Sequence, residues 1–506
     1  MSIQYDAQRI VHPYYLSFRR LNGGKVLLTN AAGGNIVVSG EIFDRFIHSG
    51  LPFDEMPVGL SEQGFVSETA DRNIYREEIL NRYFEGWKAP HVHIISLSAV
   101  CRLSCVYCCA SASPVDRRRM NKETADRILD FIFSLDPEIY LIEFQGGEPL
   151  VTFPLLKYIV LKAKKKALGK KKKVFFSVVT NLWECDEEKF RFLTENNVTV
   201  CASLDGPRFV HDRNRPCSSA ATGADLVNTG NVNVLHEDGS EEENVSRTME
   251  RICSPHGRAS AWLKRFADYA SRNNTEAPNA ICTVTKHSLP YAREIVDEFL
   301  SCGLKRVQLG PVDPLGRAAA AWNTIGVSSN EFLDFYGRAV NYMLELNSRG
   351  IPVYEKAALA FAKQLHGTVR PRYQNLDILY RLAYNWDGGI YGSDEARMLS
   401  NSGDETFRLG SVYSDTFRKI IRRPLAIRLV ASALTELRQP MCSRCPSSLY
   451  CRVPPVYNYI TQHSIAGNMA ANERCRLYRS VYELLSSMNS DPCKYEIFRK
   501  WSEMYD

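Results

Sequence analysis

The sequence has no run of about 18 consecutive apolar residues, so no membrane-spanning helix is expected. The stretch from Met1 to Arg20 mixes charges and aromatics and lacks an apolar core, which argues against a secretory signal. A strong charge of one sign is missing too. The net +6 is modest and dispersed, and does not imply a nucleic-acid partner. Cysteine is not scarce: there are fifteen in 506 residues. Without a secretion signal they read as reduced thiols and metal ligands in a cytoplasmic protein, not as a disulfide framework. With 45% hydrophobic and 24% charged residues the chain is expected to be soluble and globular, with room for about two to four domains.

The densest thiols lie in Cys101-Arg-Leu-Ser-Cys105-Val-Tyr107-Cys108, directly after a predicted strand. A structural zinc site takes four ligands, and this loop offers three at regular spacing. Cys109 is adjacent to Cys108, and neighbouring side chains point apart, so it makes a poor fourth. Three thiolates on a four-iron cluster leave one iron open, and an open iron can chelate a cofactor or a substrate. The competing reading is a buried apolar cysteine cluster or part of a zinc site.

From His91 to Pro311 strands alternate with helices. Predicted strands are His93–Leu97, Ile139–Phe144, Val174–Val179, Val198–Leu204, Ala280–Val284 and Arg306–Leu309. Predicted helices are Lys122–Leu135, N-capped by Asn121, then Phe153–Lys166, Asp186–Glu195 and Pro290–Cys302. Six such repeats imply an α/β fold with a parallel sheet, open or closed into a partial barrel, with its ligand at the strands' C-terminal ends. The residues after those strands suit that place. Gln145-Gly146-Gly147-Glu148-Pro149 offers glycines for close backbone approach and a carboxylate for an ammonium group. Asn181 and Ser203 offer neutral hydrogen-bond groups, and Asp205, in Ser203-Leu204-Asp205-Gly206-Pro207, offers a carboxylate for ribose hydroxyls. A lone GGEP, or Asp205 before Gly206-Pro207, also suits a plain turn.

Cys101, Cys105 and Cys108, with Tyr107 before the last cysteine, resemble the signature of the radical SAM superfamily. Gly146, Gly147, Glu148 and Pro149 are similar to that family's motif for the methionine amino group, and Ser203 and Asp205 sit where it contacts the ribose. The resemblance implies a partial (β/α)6 TIM barrel. It also implies a [4Fe-4S] cluster with an open iron that reduces S-adenosylmethionine, and a 5′-deoxyadenosyl radical that takes a hydrogen atom from the substrate. The cofactor carries the chemistry, and the protein orients it and excludes water.

Residues 1–88 read as a separate unit. Lys25–Asn30 and Asn35–Ser39 form a hairpin over the turn Ala31–Gly34, a helix runs from Gly40 to about His48, and Glu62–Val66 forms a further strand. This resembles a small winged-helix module that holds a leader peptide in some peptide-modifying enzymes. An exposed strand edge there could accept a peptide strand. A plain capping subdomain is the alternative. The stretch from about 217 to 257 reads as a surface insertion in the core, which spans 89–315. Eight lysines between Lys162 and Lys173 read as a solvated helix end. Cys185, Cys201, Cys217, Cys253, Cys282 and Cys302 read as ordinary thiols.

A helical bridge, 316–380, with its clearest helix at Asn330–Leu346, leads to a second cysteine set in 381–506. Cys442-x2-Cys445-x5-Cys451, followed by Cys475, can complete a closed site for zinc or a cluster. In this context it resembles the SPASM extension, which carries auxiliary iron–sulfur clusters and is typical of enzymes that modify peptides or proteins. Ser393, after Gly388, and Pro455, after Pro454, stand where that pattern has cysteines. The missing ligands resemble those of the first auxiliary cluster, while Cys442, Cys445, Cys451 and Cys475 resemble the full set of the second. One auxiliary [4Fe-4S] cluster is therefore expected, with zinc as the alternative. Asp394 stands where an aspartate resembles the general base of sulfatase-maturing enzymes; a turn residue is the bland alternative.

Phe18–Asn30, Pro311–Gly316, Tyr384–Tyr391, Ser393–Leu399 and Pro455–Tyr459 resemble the radical SAM maturase of His-Xaa-Ser repeat systems. That resemblance implies a peptide or small-protein substrate, a second radical SAM partner protein and an external electron donor, with no nucleic acid and no membrane. The alternatives are sulfatase-type oxidation of a Cys or Ser in a protein, and a non-catalytic assembly protein on the same scaffold.

Overall fold

The structure is a computed structural model that describes residues 10–11, 16–30, 34–48, 58–67, 89–218, 254–366, 377–435, 439–448, 450–451 and 453–504. By its internal contacts the chain divides into two units. One combines Met1–Lys88, Leu344–Leu376 and Leu429–Asp506; the other combines Ala89–Met343 and Asp377–Arg428. The stretches expected as a bridge, 316–380, and as a C-terminal domain, 381–506, are thus each shared between the units.

The second unit is built on a nine-stranded sheet. Its strands are β1 (Val92–Ser96), β2 (Ile139–Gln145), β3 (Lys173–Thr180), β4 (Val198–Ser203), β5 (Asn279–Val284), β6 (Leu309–Pro311), β7 (Arg381–Tyr384), β8 (Gly389–Tyr391) and β9 (Arg408–Ser411). Their order is β6-β5-β4-β3-β2-β1-β7-β8-β9. Strands β1 to β7 pair in parallel, and β8 and β9 add on antiparallel. This is the predicted α/β partial barrel, extended along one edge. The six predicted strands match β1 to β6, except that Arg306–Val307 is a separate short strand ahead of β6. The extension is apolar: Leu382, Ala383, Tyr384, Ile390 and Tyr391 are all fully buried.

The helices form where local signals place them. Lys122–Ser134 is capped by Asn121, whose side chain accepts from the Thr124 N–H at 2.8 Å. Ala125, Ile128, Leu129 and Ile132 are its buried stripe. Asp186 caps Glu187–Glu195 in the same way, and Phe153–Gly169, Ala292–Ser301 and Ser329–Ser348 fill the other predicted places. The lysine-rich stretch is ion-paired to the neighbouring helix and its end: Lys162 to Asp126 at 2.6 Å, Lys166 to Asp130 at 2.7 Å and Lys172 to Asp136 at 3.2 Å. Residues 219–253 of the expected insertion lie outside the described residues. Its expected end is helical instead, within Pro255–Asn273, N-capped by Ser254.

In the first unit Lys25–Asn30 and Asn35–Ser39 pair as predicted, and Leu16–Arg20 adds a third strand that the sequence reading missed. The expected turn at 31–33 lies outside the described residues. The strand expected at Glu62–Val66 is not formed. Glu62 ends a short helix, Val58–Glu62, and the strand is Val66–Ser67, paired with Ile10–Val11. Leu60 explains the helix, since it turns into a core with Val26, Leu28, Val38, Phe43, Phe46 and Phe65.

Candidate active site

The cysteine loop, 101–108, follows β1 and is held by backbone from several directions. On one side the loop after β2 donates: Gly147 N–H to Ser98 O and Glu148 N–H to Val100 O, both 2.7 Å. A Cβ on Gly146, at φ +141°, would meet Ser98 O at 2.5 Å, and one on Gly147 would meet Val100 O at 2.2 Å. The two glycines were expected to admit a ligand; the close approach they permit is to the backbone at Ser98–Val100, just ahead of the cysteine loop. On the other side Ser104 N–H donates to Pro216 O at 2.8 Å, Val106 N–H to Asn214 O at 2.9 Å, and Ser218 N–H to Arg102 O at 3.0 Å. Cys217, read as an ordinary thiol, pairs with Leu103 in a short antiparallel bridge. A further clamp comes from the segment after β6. Arg317 N–H donates to Cys108 O at 3.1 Å, and a Cβ on Gly316 would meet the Cys108 and Cys109 oxygens at 2.5 Å.

The polar residues after the strands converge on this loop. Glu148 is buried and N-caps the turn Pro149–Thr152. Its Oε1 accepts from Thr180 Oγ1 at 2.7 Å and from Leu150 N–H at 3.0 Å, and its Oε2 from Asn181 N–H at 2.8 Å. Burial pushes its carboxyl up to about 7 in spite of these donors, and the Glu184 charge adds to the rise. Pro149 is buried as the first residue of the turn; it has no N–H to donate, and its carbonyl accepts from Thr152 Oγ1 at 3.3 Å. Asn181 donates from its side chain to Cys101 Sγ at 3.4 Å. Ser203, at the end of β4, makes no side-chain hydrogen bond among the described residues.

Asp205 departs from its expected role. Its Oδ2 accepts from Tyr107 Oη at 2.6 Å and from Arg215 Nε at 3.1 Å; its Oδ1 accepts from Arg215 Nη2 and from Thr283 N–H, each at 3.1 Å. A carboxylate has about four acceptor positions, and protein donors take them all, so ribose hydroxyls have no place there. Asp205 instead locks Tyr107 and Arg215. The Arg215 guanidinium also lies over the Tyr107 ring, 5.1 Å from its centroid. Arg215 carries no sequence pattern that marks it, and it went unnoticed.

Burial pushes the Cys101 thiol up, reinforced by Cys105 and Glu148. Burial also pushes Cys105 to about 11, opposed by the cations Arg215 and Arg317. Unligated, these thiols keep their protons, and metal binding would displace them. The donor set fits an iron–sulfur cluster: three thiols on one clamped loop, with two guanidinium groups within reach of Cys105. Nε and Nη2 of Arg317 are buried and make no hydrogen bond.

Residues 95–221 match the radical SAM superfamily. That stretch holds the cysteine loop and strands β2 to β4. An uncharacterized protein of Methanothermobacter thermautotrophicus is 33% identical over 195 residues, 38% of this chain and 63% of that relative. The cysteine-type anaerobic sulfatase-maturating enzyme of Clostridium perfringens strain 13 is 28% identical over 123 residues, 23% of this chain and 33% of that enzyme. The chain thus aligns with less than two thirds of these relatives' length. Among solved structures, native anSMEcpe with bound AdoMet and the Cp18Cys peptide shares the fold at TM-score 0.61 and 17% identity, over 81% of this chain and 99% of that one. Streptococcus suis SuiB bound to precursor peptide SuiA does so at TM-score 0.51 and 13% identity, over 93% and 100%.

Beside the cysteine loop lies the helix Asp394–Ser400, in the same unit. Asn401, just after it, donates to Ala110 O at 2.9 Å. Ser393, where a cysteine was expected, N-caps this helix by accepting from Ala396 N–H at 3.3 Å. Asp394 accepts from Arg397 Nε at 2.7 Å. Arg397 is fully buried, and among the described residues neither Nη1 nor Nη2 finds a partner. Glu143, on β2, feels the Asp394 charge, and burial raises its carboxyl. Neither Arg397 nor Glu143 was anticipated, since each gains meaning only from neighbours distant in sequence.

The other four cysteines lie in the first unit, and the fold brings them together. Cys442 and Cys475 share a buried cluster with Val453 and Met469, against which Cys451 packs. Burial pushes Cys451 up to about 12, with Cys475, Cys445 and Cys442 all contributing. Cys475 sits in the first turn of Glu473–Asn489, its N–H bound to the Asn472 cap at 3.0 Å. Pro455, the other position lacking an expected cysteine, starts the helix Pro455–Gln462. Among the described residues no three His, Cys, Asp or Glu side chains are gathered as a single metal ion would require, and among the described residues no helix is long and apolar enough to cross a membrane.

Proposed function

We propose that this chain is a radical SAM enzyme that modifies a peptide or small protein after translation. The observation that carries the reading is the convergence of Cys101, Cys105 and Cys108 with Glu148, Asn181 and Ser203 at the C-terminal end of one parallel sheet. Cys101, Cys105 and Cys108 would hold a [4Fe-4S] cluster with one open iron. When bound, cluster and S-adenosylmethionine together supply a 5′-deoxyadenosyl radical. The chain's own residues bind and orient. Glu148 takes the cofactor's ammonium group, which supplies the cation its buried carboxylate lacks. Ser203 offers its hydroxyl to the ribose. Tyr107 and Arg215, fixed by Asp205, brace the loop. Asp394, aligned by Arg397, takes a proton from the substrate. Cys442, Cys445, Cys451 and Cys475 hold one auxiliary [4Fe-4S] cluster.

A peptide substrate is supported by the two structural relatives solved with peptides and by the four gathered C-terminal thiols. The resemblance to His-Xaa-Ser maturases narrows it to a small His-Xaa-Ser-rich protein, acted on in the cytoplasm with a second radical SAM protein and an external electron donor. The domain reading goes with it: residues 1–88 hold the peptide, and the cysteine-rich C-terminal stretch is SPASM-like. Similarity to the Clostridium enzyme favours a second reading, oxidation of a Cys or Ser in a protein.

The test is anaerobic reconstitution with iron and sulfide, then reduction in the presence of S-adenosylmethionine. Formation of 5′-deoxyadenosine, abolished by Cys105→Ala, is expected; its absence from the wild type would sink the proposal. Mass spectrometry of small proteins co-expressed with the chain then separates the two substrate readings.

A further inference from the structure

Asn181 follows β3 directly, and its backbone N–H and both ends of its side-chain amide are engaged. Its backbone N–H donates to Glu148 Oε2 at 2.8 Å, its Oδ1 accepts from Trp183 N–H at 2.8 Å, and its Nδ2 donates to Cys101 Sγ at 3.4 Å. Both partners of this last bond are buried, Asn181 at 9% exposure and Cys101 at 5%. Among the described residues no other side chain hydrogen-bonds to the sulfur of Cys101, Cys105 or Cys108. Asn181, expected at the cofactor, has both ends of its amide engaged by the protein.

We propose that Asn181 is a positioning residue that sets the reduction potential of the cluster by holding an N–H on the Cys101 sulfur. This inference rests on the reading of Cys101, Cys105 and Cys108 as the ligands of the open-iron cluster. A one-electron reduction adds negative charge that spreads onto the thiolate sulfurs. A donor fixed on one sulfur stabilises the reduced form more than the oxidised form and raises the potential. Burial strengthens the effect, because water cannot replace the lost donor. The turn fixes the donor's direction: the Trp183 N–H holds Oδ1, so Nδ2 is left facing Cys101. The same residue ties Glu148 to the loop through its backbone, so cofactor carboxylate and cluster sulfur share one support.

The experiment is a redox titration of the reconstituted full chain with dithionite, followed on the electron paramagnetic resonance signal that S-adenosylmethionine perturbs. Asn181→Ser keeps an oxygen that can accept from Trp183 N–H, as serine does in turns, but is too short to reach the sulfur. Its reduced-to-oxidised ratio at a fixed poise should fall about tenfold, a drop of ~59 mV for a one-electron couple. Trp183→Phe alters the side chain of the same turn but keeps its backbone N–H and touches no sulfur, and its midpoint should match the wild type. An unchanged midpoint in iron-loaded Asn181→Ser, or an equal drop in Trp183→Phe, would overturn the role of Asn181. A wild type with no signal that S-adenosylmethionine perturbs would instead sink the reading of the loop itself.

Discussion

Glu148 makes the sharpest prediction at the scale of a residue. Burial raises its carboxyl from 4.5 to about 7 in the ligand-free protein. Its folded value lies above its unfolded one, so the ionised form costs the ligand-free fold stability as pH rises from ~4.5 through ~7. A cationic ligand needs that ionised form. S-adenosylmethionine should therefore bind more tightly as pH rises, by about tenfold between pH ~6 and ~8. Calorimetric titration should show this in the wild type and a flat profile in Glu148→Gln. At the high end of that range Glu148→Gln should bind about 10- to 100-fold more weakly, the ~1.5–3 kcal/mol of a hydrogen bond to a charged group. The pair Asp205–Arg215 gives a stability prediction. Arg215→Met leaves a fully buried carboxylate without its cation, which costs about 3–5 kcal/mol. The midpoint of denaturant unfolding should fall accordingly and by more than in Arg208→Met, whose partner Asp212 is partly exposed at 3.4 Å.

At the scale of elements, the glycines decide whether the cysteine loop can sit where it does. Gly147→Ala puts a Cβ where Val100 O stands, so iron uptake by the loop should be lost while the far-UV spectrum persists. Gly169→Ala is the matched control, since a Cβ there meets nothing within 4 Å. This is also where sequence and structure part. Strands β1 to β6 and the cap at Asn121 were legible, because periodicity and capping are local signals. The cysteines, Glu148 and Asn181 were legible as a set, because each follows its own strand. The purpose of Gly146 and Gly147 was not, because it depends on which backbone comes to lie opposite. Asp205 was misread for the same reason: its partners Tyr107, Arg215 and Thr283 come from three other segments. Strand β7 escaped because its four residues give too short a pattern to place on the far side of β1.

At the scale of the molecule, two separate thiol sets predict the metal content. Full reconstitution should give about eight iron atoms per chain, and Cys442→Ala with Cys475→Ala about four. A count near twelve would contradict the loss of one auxiliary cluster. Asp394→Asn should still cleave S-adenosylmethionine but leave a co-expressed peptide substrate unmodified, a split that product analysis reads directly.

The make-up of the first unit sets a timetable for synthesis. It joins an early segment, Met1–Lys88, to a last segment, Leu429–Asp506, that are more than 300 residues apart in sequence. The bond from Lys25 to Ser490 O, at 2.7 Å, and the ion pair of Arg19 with Glu483, at 2.9 Å, have no partner until the ribosome nears the end of the message. At roughly 5–20 residues per second that wait is on the order of tens of seconds. Through it the small sheet has only Leu344–Leu376 of its own unit to pack on. A nascent chain stalled after residue 428 should lose its first 88 residues to protease well before its barrel, and release of the full chain should close that window.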